Sequence, residues 1–144
     1  WLRTLDITQI VDGNVFAHGG VTPAFASQGI DVINRTAKSS WEDPTAAVFG
    51  PEGPLWYRGY VQDEEAVACP ALAKALGALH AKRMVVGHTT RGDGKIETRC
   101  GGALVVIDIG IADHYGAHIG ALEIQADDAR ALYPSGIVDL EDPT

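Results

Sequence analysis

Two of the five histidines follow a run of apolar residues and lie beside glycine. His18 occurs in "NVFAHGG" and His88 in "RMVVGHTT". A neutral imidazole is the commonest metal ligand in proteins, and an adjacent glycine leaves room for a metal, a water or a phosphate to approach the backbone. A single histidine at the end of a strand is more often structural. The repeated pattern makes His18 and His88 candidate metal ligands.

Two further side chains have chemistry that suits such a site. Arg58, in "GPLWYRGY", could bind a phosphate through two parallel hydrogen bonds or lie on the surface over an aromatic ring. Asp108 ends the apolar segment "ALVVID". It could be a metal ligand, a partner that orients a histidine, or a turn-forming aspartate. Local sequence favours the surface interpretation for Arg58 and the turn-forming one for Asp108.

Composition excludes several classes of protein. The chain has 144 residues, near the commonest size for one domain, and 46% of them are hydrophobic. A net charge of -8 argues against a surface that binds nucleic acid or anionic lipid. No apolar run approaches the ~18 residues of a membrane span. The negative net charge does not exclude a small anionic substrate, because a bound metal or an arginine can make the charge positive at the binding site.

The two cysteines, Cys69 and Cys100, bear on the cellular compartment. They could pair, but a disulfide framework usually shows more cysteines in a smaller secreted chain. We therefore interpret them as two separate buried thiols. No basic and apolar leader marks export. These observations predict a cytoplasmic protein.

The elements that must position these residues alternate between strands and helices. Asp12-Gly13 predicts a two-residue hairpin turn. Thr22-Pro23 begins a helical segment that extends to residue 39 and is divided by Gly29. Residues 63–80 form the clearest helix, and residues 41–60 form an aromatic-rich loop.

Strands cluster later in the chain, and residues 138–144 are expected to be frayed. Three apolar strands end in "AHGG", "GHTT" and "DIG". The pattern predicts a layered α/β sheet, in which functional groups gather at strand ends.

Four motifs in this order resemble the C-terminal half of the calcineurin-like metallophosphoesterases. They are "VFAHGGVTP", "GPLWYRGY", "RMVVGHT" and "VIDIGIADHYGAHIGALEI". The resemblance is greatest to the Shewanella-like protein phosphatases of bacteria and plants, and it extends from "WLRTLD" to "YPSG". Many relatives carry a second histidine two residues after the first, at the position of Thr90. The absence of that histidine resembles the phosphoprotein-phosphatase branch.

The resemblance implies the C-terminal part of a four-layer αββα sandwich with mixed sheets. It implies a dinuclear centre of two divalent ions, Mn, Fe or Zn, with His18 and His88 as metal ligands. Arg58 becomes a catalytic, phosphate-binding residue, and Asp108 and Tyr115 border the substrate pocket. The implied activity is hydrolysis of a phosphorylated protein or a small phosphate ester by a metal-activated hydroxide.

The chain departs from the family in one respect. The family's Asp-x-His, Gly-Asp-x-x-Asp-Arg-Gly and Gly-Asn-His-Glu segments precede its His-Gly-Gly motif, and none of them occurs here. Since the chain also begins without methionine, we expect residues 1–144 to be the C-terminal portion of the domain and to be inactive alone. Two alternatives stay open, a non-catalytic binding or regulatory module and a nucleotide hydrolase of the same superfamily. The sequence upstream of Trp1 would discriminate between an enzyme and a binding module.

Overall fold

A five-stranded mixed sheet lies at the centre of the molecule. The computed structural model describes residues 1–143. The strands of the sheet are β1 (Thr8–Val11), β2 (Asn14–Ala17), β3 (Arg83–Val86), β4 (Glu97–Arg99) and β5 (Leu104–Val106). They lie in the order β1-β2-β3-β5-β4. The three inner strands are parallel to one another, and each edge strand is antiparallel to its neighbour.

Helices cover one face of this sheet. They are α1 (Pro23–Ala26), α2 (Ile30–Ser39), α3 (Gly59–Gln62) and α4 (Glu65–Leu79). Single 3₁₀ turns occupy Leu2–Thr4, Ala47–Phe49 and Asp113–Tyr115. Alternate residues of the inner strands pack against the helices and form the main core, which includes Val15, Met84, Val86, Leu104 and Val106. Among the described residues, no helix combines the length and apolar character needed to cross a bilayer.

A second, antiparallel sheet lies against the other face. Its strands are β6 (Ala121–Gln125), β7 (Asp128–Tyr133) and β8 (Gly136–Asp139), in the order β6-β7-β8. Val85 and Val105 point to this side and pack against Ala131. Residues 1–143 therefore form three layers, helix–sheet–sheet. The predicted α/β class with mixed sheets is confirmed.

Local turn signals predicted the early elements correctly. Asp12 (φ 48°) and Gly13 (φ 75°) both lie in the left-handed region, as a type I′ hairpin turn requires. Gly29 (φ 83°) separates α1 from α2. The clearest predicted helix is α4, which continues through Pro70 and ends at a left-handed His80. The loop predicted over residues 41–60 also contains one 3₁₀ turn and the start of α3.

The prediction of a frayed C-terminal segment is wrong for its first residues. Val138 and Asp139 belong to β8, and Val138 pairs with Ala131 of β7. All four residues of β8 are exposed. An edge strand is held by backbone hydrogen bonds to one neighbour, so no buried apolar pattern marks it in the sequence. Thr144 lies outside the described residues.

The interpretation of the cysteines as separate thiols is also wrong. Cys69 of α4 and Cys100, in the turn between β4 and β5, form a disulfide. Their separation of 31 residues contains no information about proximity, which the packing of α4 creates. Since disulfides persist in oxidising compartments, the pairing removes one argument for the cytoplasm. That location stays a prediction.

Candidate functional site

The two candidate histidine ligands lie together at one edge of the central sheet. Adjacent parallel strands β2 and β3 have Ala17 opposite Val86, so the residues that follow emerge side by side. The imidazole centroids of His18 and His88 are 4.8 Å apart, with 54° between the ring planes. The N–H of Gly87 donates to the His18 carbonyl at 2.9 Å. The two side chains converge as the sequence predicts, and their role as metal ligands stays a prediction.

The backbone at His88 is strained. Its φ is +63°, in the left-handed region, and the N–H of Thr89 donates to the carbonyl of Gly87 at 2.6 Å. A hydrogen bond between residues two apart, with a positive central φ, defines a rare and strained γ-turn. Such conformations cost on the order of 1–3 kcal/mol and cluster at functional sites. The turn places the imidazole of His88 at the sheet edge.

The imidazole of His88 has an unpaired nitrogen. Within residues 1–143, its Nε2 atom is buried and has no hydrogen-bond partner. Burial lowers the pKa of His88 below its ordinary value, the charges of Arg58 and His18 lower it further, and Asp108 partly opposes them. The lowered pKa favours the neutral imidazole, which is the form that can coordinate a metal. His18, in contrast, is exposed.

Arg58 lies next to His88. Its Nη1 atom donates to the His88 carbonyl at 3.0 Å. The ring of Trp56 stands edge-on to the His88 imidazole, with centroids 5.1 Å apart. A cleft of about 390 Å³ opens beside them, lined by Phe49, Pro51, Trp56 and Arg58. The guanidinium therefore contacts the backbone of the candidate site, and its phosphate-binding role stays a prediction.

The glycines of the His-Gly-Gly motif have a different role from the expected one. The N–H groups of Gly19 and Gly20 both donate to the carbonyl of Pro54, at 2.7 and 3.2 Å. A Cβ atom on Gly19 would lie 2.8 Å from the backbone nitrogen of Tyr57 and 2.9 Å from its carbonyl oxygen. The backbone before Arg58 therefore fills the space that we expected a metal or phosphate to use. Because these glycines have no side chain, the loop backbone can pack against them, and this contact positions Arg58.

Asp108 holds two loops together. Its Oδ2 accepts from the hydroxyl of Thr90 at 3.0 Å, and its Oδ1 accepts from the N–H of Gly110 at 3.2 Å. Its carbonyl accepts from the N–H of Arg91 at 2.7 Å. Both carboxylate oxygens are engaged, which matches the turn-forming alternative. The contact with Thr90 ties the loop after β5 to the loop that carries His88.

Tyr115 lies farther along the loop after β5. It is 56% exposed, and its ring stands edge-on to His114 at a centroid distance of 4.9 Å. The Nδ1 atom of the neighbouring His118 lies 2.8 Å from the carbonyl oxygen of Ile109. A Cβ on Gly94 would meet the His118 ring at 2.4 Å, so this histidine packs against the segment between β3 and β4. The predicted place of Tyr115 at the pocket border stays a prediction.

Sequence reasoning missed two contacts of the site. The Pro54 carbonyl binds the His-Gly-Gly backbone, and the Trp56 ring contacts His88. Both residues lie in the segment whose prolines and aromatic residues indicated a structured loop. Nothing in that local pattern indicates which distant segment the loop contacts.

Comparison with known proteins supports the fold. No protein-family model matches the chain. An uncharacterized protein of Schizosaccharomyces pombe is 29% identical, and the match covers 89% of this chain and 42% of that protein. A cold-active protein tyrosine phosphatase is 20% identical with a TM-score of 0.81, over 99% of this chain and 44% of that one. A cold-active protein-tyrosine phosphatase of a psychrophilic Shewanella species gives a TM-score of 0.79, with 20% identity over 98% of this chain.

These similarities show a phosphatase-like fold. At 20% identity, they establish the architecture alone. The chain spans less than half the length of each matched protein, 42% of the yeast protein and 44% of the phosphatase chains.

Proposed function

We propose that the chain is the C-terminal portion of a calcineurin-like metallophosphoesterase domain that hydrolyses phosphomonoesters. The observation that carries the proposal is the pairing of the His18 and His88 imidazoles, 4.8 Å apart at the ends of adjacent parallel strands. The phosphatase-like fold supports a phosphorylated protein or a small phosphate ester as the substrate. A nucleotide is the alternative substrate within the same superfamily.

The chemistry of the two histidines fits a divalent metal centre. The buried Nε2 atom of His88 has no partner within residues 1–143, and the lowered pKa of this residue favours its neutral form. When bound, two divalent ions (Mn, Fe or Zn) supply a hydroxide nucleophile at neutral pH and neutralise phosphoryl charge. His18 and His88 would each contribute one imidazole nitrogen as a ligand to that centre. Two neutral imidazoles carry no negative charge, so we propose carboxylate ligands from an upstream segment.

Arg58 would bind the phosphoryl group. A guanidinium donates parallel hydrogen bonds to phosphate oxygens, and at a transition state it stabilises the charge that develops on them. Its contact with the His88 carbonyl, at 3.0 Å, sets its distance from the metal ligands. Asp108 would act by holding the His88 loop through Thr90. Asp108 and Tyr115 would border the bound substrate.

A matched set of histidine variants of the full-length protein tests the proposal. His18→Ala and His88→Ala should each lower Mn²⁺-dependent hydrolysis of an aryl phosphate at least 100-fold and lower the bound metal. His80→Asn is the control, because His80 caps α4 with a left-handed backbone that asparagine also adopts. That control should keep both activity and metal.

Two results would contradict parts of the proposal. Wild-type hydrolysis by His88→Ala would show that this imidazole is outside the catalytic site. Binding of a phosphate ester by the wild-type protein without turnover would favour the alternative, a binding or regulatory module.

A further inference from the structure

A second cluster of metal-ligating atoms lies away from the histidine pair. Sulfur atoms of Cys69 and Cys100 and a carboxylate oxygen of Glu65 all lie within 4.8 Å of one another. Glu65 and Cys69 are four residues apart on α4, so they share one side of the helix. Cys100 faces them from the turn between β4 and β5.

A tetrahedral ion would require the two sulfur atoms, which are bonded to each other in this structure, to separate. Zn–S bonds of ~2.3 Å and Zn–O bonds of ~2.0–2.2 Å place tetrahedral ligand atoms roughly 3.5–3.8 Å apart. The Glu65 carboxylate oxygen lies within 4.8 Å of both sulfur atoms, so the third ligand is already close to them. The carboxylate is exposed and both cysteines are half-buried, so an ion from solvent can reach the cluster.

Contacts independent of the disulfide hold the cluster in place. The N–H of Cys100 donates to Oε1 of Glu65 at 2.7 Å and orients the carboxylate. Arg99 donates to the carbonyls of Tyr60 and Asp63, at 2.5 and 2.6 Å, which ties the same turn to the start of α4. Cys100 itself has a φ of +56°, uncommon for a residue other than glycine. None of these contacts involves the sulfur atoms, so reduction of the disulfide would not remove them directly.

We propose that reduction of the Cys69–Cys100 disulfide creates a zinc site with Glu65 as the third protein ligand. The disulfide takes up two electrons and two protons from a thiol or phosphine reductant and becomes two thiols. Zn²⁺ then binds both sulfurs as thiolates and releases the two protons. A water completes the tetrahedron. The oxidised chain lacks the site, because a disulfide sulfur offers no thiolate.

Cobalt titration of the reduced full chain tests the proposal. Co²⁺ replaces Zn²⁺ as a spectroscopic probe, and the chain carries His18→Ala and His88→Ala so that those imidazoles do not contribute. One equivalent should bind with sulfur-to-cobalt charge-transfer absorption, and Zn²⁺ should displace it. Two protons should be released per metal in weakly buffered solution. The oxidised chain should show no such absorption.

Variants of the three ligands identify the site. Cys69→Ser should remove the charge-transfer absorption and weaken binding at least 100-fold. Glu65→Gln should weaken binding about 10- to 100-fold, a range that even outer-shell partners of a metal reach. Glu64→Gln, a substitution of the neighbouring acid, is the control and should bind as tightly as the parent.

Each contrary outcome is decisive. The proposal is wrong if the reduced chain binds no cobalt, if the absorption survives Cys69→Ser, or if Glu65→Gln and Glu64→Gln behave alike. If Cys69→Ser fails to fold, as judged by circular dichroism, Glu65→Gln decides the matter, because it leaves both cysteines in place.

Discussion

Gly19→Ala would insert a methyl group between the backbone after His18 and the loop that carries Arg58. The new Cβ would lie 2.8 Å from the backbone nitrogen of Tyr57, 2.9 Å from its oxygen and 3.0 Å from the nitrogen of Trp56. Backbone atoms cannot rotate away as a flexible side chain does. The loop must therefore move by roughly 0.6 Å to restore van der Waals distances.

Two terms set the expected loss of stability. Overpacking of this kind costs about 1–3 kcal/mol. The shift also weakens the hydrogen bonds from Gly19 and Gly20 to the Pro54 carbonyl, each contributing about 0.5–1.5 kcal/mol. We expect the free energy of unfolding to fall by about 2–4 kcal/mol. The measurement is equilibrium unfolding in urea.

The same shift should reduce catalysis if Arg58 binds phosphate. A misplacement of ~1 Å costs about 100-fold in rate, so a shift of roughly half that size predicts a fall of about tenfold in kcat/KM. The assay is hydrolysis of an aryl phosphate by the full-length protein at saturating Mn²⁺.

Gly87→Ala is the matched control. At Gly87, on the facing strand end, a Cβ would lie 3.6 Å from the His18 carbonyl oxygen and 3.7 Å from its Nδ1 atom, which are ordinary contacts. It should change stability by less than about 1 kcal/mol. If Gly19→Ala is as stable and as active as Gly87→Ala, the loop does not depend on the missing Cβ, and the account of the motif is wrong.

Four further outcomes test other parts of the molecule. Arg58→Ala in the full-length protein should lower turnover at least 100-fold without changing metal content, and unchanged turnover would place Arg58 outside the site. Asn34→Ala should lower the free energy of unfolding in urea by about 3 kcal/mol, because the buried amide accepts from and donates to the backbone of Thr8. The folded pKa of His88 lies below the unfolded value of 6.5, so acidification below pH 6.5 should destabilise the metal-free chain, and this component should vanish in His88→Gln. Residues 1–144 alone should show no Mn²⁺-dependent turnover of an aryl phosphate, and robust turnover would show that other residues make the site.

The parts of the fold that sequence predicts are those with local causes. Asp12-Gly13 specifies a hairpin turn because both residues tolerate a positive φ, and the structure has that turn. Three apolar segments that end in polar residues become the parallel strands β2, β3 and β5. Since parallel strands end at the same edge, the meeting of His18 and His88 follows from the strand prediction.

The parts that sequence misses depend on contacts between distant segments. Gly19 and Tyr57 are far apart in the chain, so the reason for the glycine becomes visible only where the loop packs on it. The same holds for Asn34, whose side-chain oxygen binds the start of β1. Cys69 and Cys100 are paired by the position of α4, which their spacing does not encode.

The structure makes the position of Arg58 depend on both histidine segments. Backbone contacts at Gly19 hold one end of its loop against the His18 segment. The side chain of Arg58 makes a separate contact, because its guanidinium donates to the carbonyl of His88, the residue at the centre of the γ-turn. An arginine whose loop and side chain are both anchored in this way loses little further freedom when it binds a phosphoryl group, which is the advantage of a preorganised donor in catalysis. The hydrogen bond from Arg58 to the His88 carbonyl therefore joins the proposed phosphate ligand to the segment of the proposed metal ligand, and a change in either segment should affect both.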